Sequence, residues 1–165
     1  MSCSIVKIPG CPSGEIKVYQ GIEGVREITY NSLEADGLLR IYELTLASLG
    51  TIFTPDEADD VRREFMKRNI KIKEITAQSY MEYTKVEGFE EKCMEYRYID
   101  PKKFDLQTEI MIYNDIVTFY RYEGDIFGVE VKSKDFAQAQ ARIFDFVWSN
   151  GERPVVGKRG RSSMF

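Results

Sequence analysis

The chain has 165 residues, of which 43% are hydrophobic and 30% charged, and its formal net charge is −4. A chain of this length is typical of one domain that folds without disulfides or metal. Its ten Tyr, ten Phe and one Trp argue against a disordered chain, and its negative charge opposes binding to a polyanion except through a local basic patch. The sequence contains no histidine, which excludes a Ser-His-Asp triad, a Cys-His dyad and a histidine metal centre.

Several further classes are disfavoured by missing motifs. No apolar run approaches the ~20 residues that cross a bilayer, and the first residues lack the apolar stretch of a signal peptide. We therefore expect a cytoplasmic protein without a membrane partner. No glycine-rich phosphate-binding motif is present, and we predict no cofactor and no metal site. Cys3, Cys11 and Cys93 are expected to be free thiols, although a link or shared metal between Cys3 and Cys11 stays open.

The first half of the chain alternates predicted strands and helices. Residues 1–15, rich in Pro and Gly, predict a flexible leader. The expected elements are then a strand at 16–19, a helix at 22–35 ended by Gly37, a strand at 38–46, a loop through Gly50, a helix at 55–68 and a strand at 70–75. Thr54, Pro55 and Glu57 form a capping-box pattern at the start of the second helix.

The second half reads mainly as antiparallel strands. For residues 77–92 a short helix and a lid both stay open. The expected elements that follow are strands at 93–99, 109–113, 116–122 and 126–131, with turns at 114–115 and 123–125. Ser133 is expected to cap a last helix, whose inner face would carry Phe136, Ala139 or Gln140, Ile143, Phe144, Val147 and Trp148. Residues 151–165, with Arg153, Lys158, Arg159 and Arg161, predict a basic disordered tail. This order is typical of an α/β fold with a mixed sheet flanked by helices.

Carboxylates and tyrosines are the candidate functional groups that remain. Glu43 and Glu109 fall near predicted strand ends, where α/β sheets place their sites. Cys93 is expected to be a buried, inert thiol. Eight tyrosines lie in or beside the strands, where they either fill the core or line a pocket with rings and hydroxyls; they are Tyr42, Tyr80, Tyr83, Tyr96, Tyr98, Tyr113, Tyr120 and Tyr122.

At two places, near its start and over its last strands and helix, the sequence resembles a known family. Residues 17–28, KVYQGIEGVREI, resemble the entry into the effector domain of TrmB-like transcriptional regulators. Residues 109–115, EIMIYND, and 128–134, GVEVKSK, are similar to that domain's closing strands, and residues 144–148, FDFVW, to its final aromatic helix. The resemblance covers about residues 16–149 and implies a single phospholipase D-like lobe at residues 16–150 that senses a small molecule, a sugar in the best-known members.

The phospholipase D template His-x-Lys-x-x-x-x-Asp, laid on the predicted hairpin, falls on Thr108, Ile110 and Asp115. The nucleophile and the phosphate-binding lysine are both replaced, which predicts no catalytic residues. Ile110 is then expected to fill the core and Asp115 to form the turn.

We therefore predict a non-catalytic small-molecule-sensing or regulatory domain. The candidate ligand-binding residues are Tyr42, Glu43, Thr76, Arg97, Thr108 and Glu109. Expected partners are a small molecule, a second copy of the chain and a separate DNA-binding protein, without direct sequence-specific contact to DNA because no winged helix precedes residue 16. Two alternatives stay open: a protein-interaction or dimerisation module, and a carboxylate-dependent hydrolase.

Overall fold

The computed structural model describes residues 3–7, 9–10, 14–43, 48–82, 84–105 and 108–157. The strands are β1 Cys3–Lys7, β2 Glu15–Gln20, β3 Leu38–Glu43, β4 Lys71–Thr76, β5 Tyr80–Glu82, β6 Met94–Tyr98, β7 Glu109–Tyr113, β8 Ile116–Arg121, β9 Phe127–Lys132 and β10 Val155–Gly157. The helices are α1 Gly21–Ser32, α2 Ser48–Ile52, α3 Pro55–Lys67, α4 Phe89–Cys93 and α5 Lys134–Ser149.

Eight strands form one mixed sheet in the order β1-β2-β9-β8-β7-β3-β4-β6. Strands β3, β4 and β6 are parallel, and every other pair in this sheet is antiparallel. The carboxyl ends of β3, β4 and β6 and the amino end of β7 therefore lie side by side at one end of these strands. This arrangement confirms the predicted α/β class with a mixed sheet flanked by helices.

Helices cover both faces of the sheet. The face that we call the α1–α4 face packs Ile28 of α1, Phe65 of α3 and Phe89 of α4 against strand residues such as Leu39. The opposite face, the α5 face, packs Phe144 against Tyr42, Ile75, Ile112 and Val117. Because successive strand residues point to opposite faces, neighbours in one strand belong to different layers.

Local signals set the bounds of several elements as predicted. The capping box of α3 is present: the Thr54 hydroxyl accepts from the Glu57 amide, and the Glu57 carboxylate accepts from the Thr54 amide. Asn69 follows the helix with φ 54°, a left-handed conformation that Asn tolerates. Strand β7 has the predicted bounds, and β8 begins after the turn at 114–115, in which Asn114 has φ 48°.

Other elements differ from the sequence predictions. Helix α1 ends at Ser32 rather than at residue 35, because Leu33, Glu34 and Ala35 continue as tight turns. The predicted loop through Gly50 contains the short helix α2, and the ambiguous residues 77–92 contain β5 and α4. Strand β3 ends at Glu43, and residues 44–46 of the predicted strand lie outside the described residues.

Two predictions for α5 are wrong in detail. Ser133 occupies the N-cap position, but its side chain makes no capping hydrogen bond. Ile143 and Ala139 are exposed, whereas Ala137 and Phe144 are buried and Gln140 is half-buried. Phe136, Phe144, Val147 and Trp148 pack against the hydrophobic cluster of the α5 face as predicted, so the prediction of the inner face fails at Ile143 and at the omitted Ala137.

Two strands lie in the terminal segments that the sequence predicts to be flexible or disordered. Strand β1 lies within residues 1–15 and pairs with β2, and β10 lies beyond residue 150 and pairs in parallel with β5. Cys11 and the basic residues Lys158, Arg159 and Arg161 fall outside the described residues. No helix in the described part of the chain is long and apolar enough to cross a membrane.

Candidate functional site

A cavity of about 120 Å³ lies between the α1–α4 face of the sheet and the helices that cover it. We call it the acidic cavity because two glutamates, Glu43 and Glu74, line it. Its other lining residues are Thr29, Ser32, Ile41, Leu49, Arg62, Phe65, Ile72, Thr84, Phe89, Met94, Tyr96, Met111 and Tyr120.

Glu74 is the central polar group of the acidic cavity. It lies within β4, directly opposite Ile41 of β3 and Tyr96 of β6, and its side chain is 4% exposed. Burial raises the pKa of the Glu74 carboxyl well above its usual value, and the Glu43 carboxylate, which is hydrogen-bonded to it, raises it further. One carboxyl oxygen, Glu74 Oε1, has no hydrogen-bond partner.

Glu109 lies behind the cavity wall. Its carboxylate is 1% exposed and accepts a hydrogen bond of 3.0 Å from the hydroxyl of Tyr120, which lines the cavity. Burial, together with the Glu109 charge, raises the pKa of Tyr120 well above its usual value. Glu109 also contributes to the raised pKa of Glu74, so the carboxyl groups of three strands act electrostatically on one another.

Most of the hydroxyl groups around the cavity use their protons within the protein. Thr29 donates to the carbonyl of Val25, and Ser32 donates to the carbonyl of Thr29. The Thr84 hydroxyl oxygen is buried without a partner. Arg62 brings a positive charge, but its guanidinium pairs with Asp59 at 2.8 Å. The cavity wall therefore carries several hydrogen-bond acceptors, and the hydroxyls of Thr84 and Tyr96 remain as its available hydroxyl donors.

The predicted ligand-binding residues all lie at or near this shared end of the strands, but they divide between the two faces of the sheet. Glu43, Thr76 and Glu109 belong to the α1–α4 side, and Glu43 lies opposite Thr76 in the parallel register. Thr76 is 1% exposed, and its hydroxyl accepts from the Gln78 amide. A second cavity of about 200 Å³ adjoins this end and is lined by Glu43, Ile75, Thr76, Ala77, Ile99, Pro101, Phe104 and Asp105.

Tyr42 and Arg97 lie on the α5 face instead. The Tyr42 ring packs edge to face on Phe144 with centroids 4.9 Å apart, and its buried hydroxyl has no partner. Burial and the charge of Asp145 raise the pKa of Tyr42 to about 12. The Arg97 guanidinium stacks over the Trp148 ring at 4.7 Å. These two side chains therefore do not join Glu43 in the acidic cavity.

The template positions of the hairpin lie as the sequence predicts. Thr108 precedes β7 and is half-buried. Ile110 packs against the hydrophobic cluster of the α5 face. Asp115 lies in the turn, where its carbonyl accepts from the Ser133 amide at 2.8 Å.

Sequence reasoning missed Glu74 and placed Cys93 in a strand. The strand pattern contains the signal for Glu74, because a period of two from the buried Ile72 puts Glu74 on the buried face. Cys93 ends α4 and is 3% exposed, and burial raises the pKa of its thiol. Of the eight tyrosines, Tyr96 and Tyr120 line the cavity, Tyr80 is exposed and Tyr83 lies outside the described residues.

A metal-based site finds no support in the described ranges. No three side chains of His, Cys, Asp or Glu among those residues are arranged to hold a metal ion.

The comparisons with known proteins identify the fold. No protein-family model matches the chain, and no curated protein matches it. Among solved structures, it is similar to TrmBL2, an archaeal chromatin protein, with a TM-score of 0.55 and 17% identity over 84% of this chain and 53% of that one. The chain therefore spans about half the length of TrmBL2.

Two further proteins of similar length share the architecture. Nuc from Salmonella typhimurium, a phospholipase D family member, aligns with a TM-score of 0.60 and 12% identity over 86% of this chain and 99% of its own. NucT from Helicobacter pylori aligns with a TM-score of 0.57 and 11% identity over 85% and 99% of the two chains. The chain has a phospholipase D-like fold, as the sequence resemblance predicted.

Proposed function

We propose that this protein is a non-catalytic small-molecule-sensing domain of the TrmB type, with its ligand in the acidic cavity. The observation that carries the proposal is the buried Glu74 Oε1, which lines a cavity and has no hydrogen-bond partner. A buried acceptor without a partner costs roughly 1–3 kcal/mol, and a bound ligand that donates to it recovers that cost. The structural similarity to TrmBL2 agrees with the sequence resemblance to TrmB-type effector domains, which supports a regulatory role.

The non-catalytic part of the proposal rests on the sequence. The chain has no histidine, and Thr108 and Ile110 stand where the phospholipase D template has its nucleophile and lysine. Glu109, one of the two carboxylates that the sequence offers for acid–base chemistry, is 1% exposed and hydrogen-bonded to Tyr120. A general base must reach the proton that it removes, so this geometry disfavours Glu109 as the base of a hydrolase.

A thermal-shift screen with sugars, nucleotides and amines tests the sensing function. A ligand at roughly 100 times its dissociation constant stabilises a protein by about 2.7 kcal/mol, which appears as a higher melting temperature. Ser32→Leu, which adds volume to the cavity wall, should abolish the shift. Ser149→Leu on the exposed end of α5 should retain it. Absence of a shift with every compound, or an unchanged shift in Ser32→Leu, contradicts the proposal.

A second candidate function is self-association through α5. Phe146 and Ile143 on its outer face are 71% and 51% exposed, and exposed aromatic and aliphatic groups are enriched at interfaces. Light scattering coupled to size-exclusion chromatography should then give a dimer for the native protein and a monomer for Phe146→Lys. A monomeric native protein at high concentration argues against this function.

A further inference from the structure

The chemistry of the acidic cavity specifies which ligand it accepts. Its volume of about 120 Å³ exceeds the roughly 10–15 Å³ that a single water needs, so a small organic molecule fits. The lining combines two carboxyl groups, Glu43 and Glu74, with the aromatic rings of Phe65, Phe89 and Tyr96. Rings beside carboxylates suit a cation, because the faces of aromatic rings also attract positive charge.

The hydrogen-bonding groups of the cavity wall favour a ligand that carries hydrogen-bond donors. Thr29, Ser32 and Tyr120 direct their hydroxyl protons to Val25, Thr29 and Glu109, respectively. These hydroxyls therefore offer only acceptor lone pairs to the cavity. Glu74 Oε1 is a further acceptor, 4% exposed as a residue and without a partner.

Other ligand classes fit this wall less well. An anion would face the carboxyl groups while the cation among the lining residues, Arg62, is paired with Asp59. Every hydroxyl of a neutral sugar brings acceptor lone pairs as well as a proton. Those lone pairs would need donors, and the neutral side-chain donors that the described wall still has available are the hydroxyls of Thr84 and Tyr96.

We propose that the acidic cavity binds a small organic cation, an alkylammonium or an alkylguanidinium, whose N–H groups donate to Glu74 Oε1. This inference rests on the proposed sensing function and names its ligand class. An ammonium has three donors and a guanidinium five, and neither has an acceptor. Such a cation matches a wall of acceptors and compensates the charge of the buried carboxyl pair.

Binding of the cation should release a proton. Burial and the adjacent Glu43 favour the protonated form of Glu74, and an entering positive charge favours loss of that proton. Protons and cation then compete, so apparent affinity rises with pH by up to about tenfold per pH unit for one proton. A neutral ligand that leaves the carboxyl pair protonated produces no such dependence.

The test uses n-butylammonium and methylguanidinium as probes, with n-butanol, glucose and sodium chloride as matched controls. Each compound is titrated into the full chain, and binding is followed by saturation-transfer NMR and by the melting temperature. We expect saturable binding of the two cations that strengthens as the pH rises toward the raised pKa of Glu74. Glu74→Gln should lose it, because the neutral amide cannot release a proton and take the negative charge that compensates the cation. Glu95→Gln, on the exposed side of β6, should keep it.

The outcomes separate this inference from the proposed function. Glucose binding that excludes the cations overturns the cation assignment and leaves the sensing function intact. Cation binding that survives unchanged in a folded Glu74→Gln protein also overturns it. If Glu74→Gln does not fold, Glu43→Gln at the half-buried rim of the pair replaces it, with the same loss expected. When no compound of any class binds, both proposals fail together.

Discussion

At the scale of single residues, a carboxyl group buried without a counter-ion is stable mainly in its protonated form. Glu74 is such a group, since burial and the adjacent Glu43 raise its pKa well above the usual value. Between about pH 4.5 and the raised native pKa, the folded state binds more protons than the unfolded state. The free energy of unfolding must therefore fall as the pH rises through this window.

Glu74→Gln should remove this dependence. We expect the native protein to lose up to about 1.4 kcal/mol of stability per pH unit through this one group, and the variant to show a correspondingly flatter profile. Urea denaturation at several values between about pH 5 and pH 8 measures both slopes. The exposed-site variant Glu95→Gln should follow the native profile, and parallel profiles for native protein and Glu74→Gln would show that Glu74 does not titrate with a raised pKa.

The sequence contains part of this site. Glu43 ends β3 and Glu109 begins β7, and because these two strands are antiparallel both residues lie at the same end of the sheet. Strand alternation puts the adjacent Tyr42 and Glu43 on opposite faces, but which face holds the cavity depends on the helices that cover it. The alternating pattern also indicates that Glu74 is buried, whereas the cavity that it lines depends on how the helices pack on the sheet.

At the scale of elements, α5 shows how closely a buried and an exposed aromatic group can follow each other. Phe144 is fully buried against Tyr42, and Phe146, two residues later, is 71% exposed. We expect Phe144→Ala to lower the free energy of unfolding by about 3–5 kcal/mol, because it removes buried area and leaves a cavity. Phe146→Ala should change it by less than about 0.5 kcal/mol. Equal effects in chemical denaturation would contradict the assigned orientation of the helix.

Helix α1 approaches β9 so closely that one glycine is required. A Cβ at Gly128 would overlap the Cδ1 atom of Ile28, a fully buried residue of α1. Gly128→Ala should therefore cost about 1–3 kcal/mol through overpacking. Adding Ile28→Val removes the overlapping methyl group, so the double variant should be more stable than Gly128→Ala alone. If the effects of the two single substitutions simply add in the double variant, the contact with Ile28 is not the cause of the lost stability.

Elements bounded by local signals were predictable, and elements that depend on distant partners were not. The capping box of α3 and the turn at 114–115 are encoded within a few residues. The short helices α2 and α4 contain or follow glycines, which argue against helices in sequence. Strand β10 exists through its parallel pairing with β5, 75 positions earlier in the chain at Val155 and Tyr80, and no short-range pattern indicates such a contact.

At the scale of the whole molecule, stability should vary with position in the sheet. Strands β7 and β8 lie at its centre and carry fully buried residues such as Val117, whereas β1 lies at an edge with Ile5 and Val6 more than half exposed. Regions with few buried contacts open at low free energy. Hydrogen exchange followed by mass spectrometry should therefore show the slowest exchange in peptides from β7 and β8, and the fastest sheet exchange in β1. Equal protection of β1 and β8 would contradict this gradient.

The position of β1 has a practical consequence for solubility. A protein shortened to residues 16–150 would lose the strand that covers β2, and the backbone groups of β2 would become an open edge. Open edges recruit strands from other molecules, and charged side chains along them oppose this. Such a truncation would also remove the pairing of Lys7 with Glu15 at 2.7 Å. Aggregation during expression is the expected cost of trimming this domain to the limits that its sequence suggests.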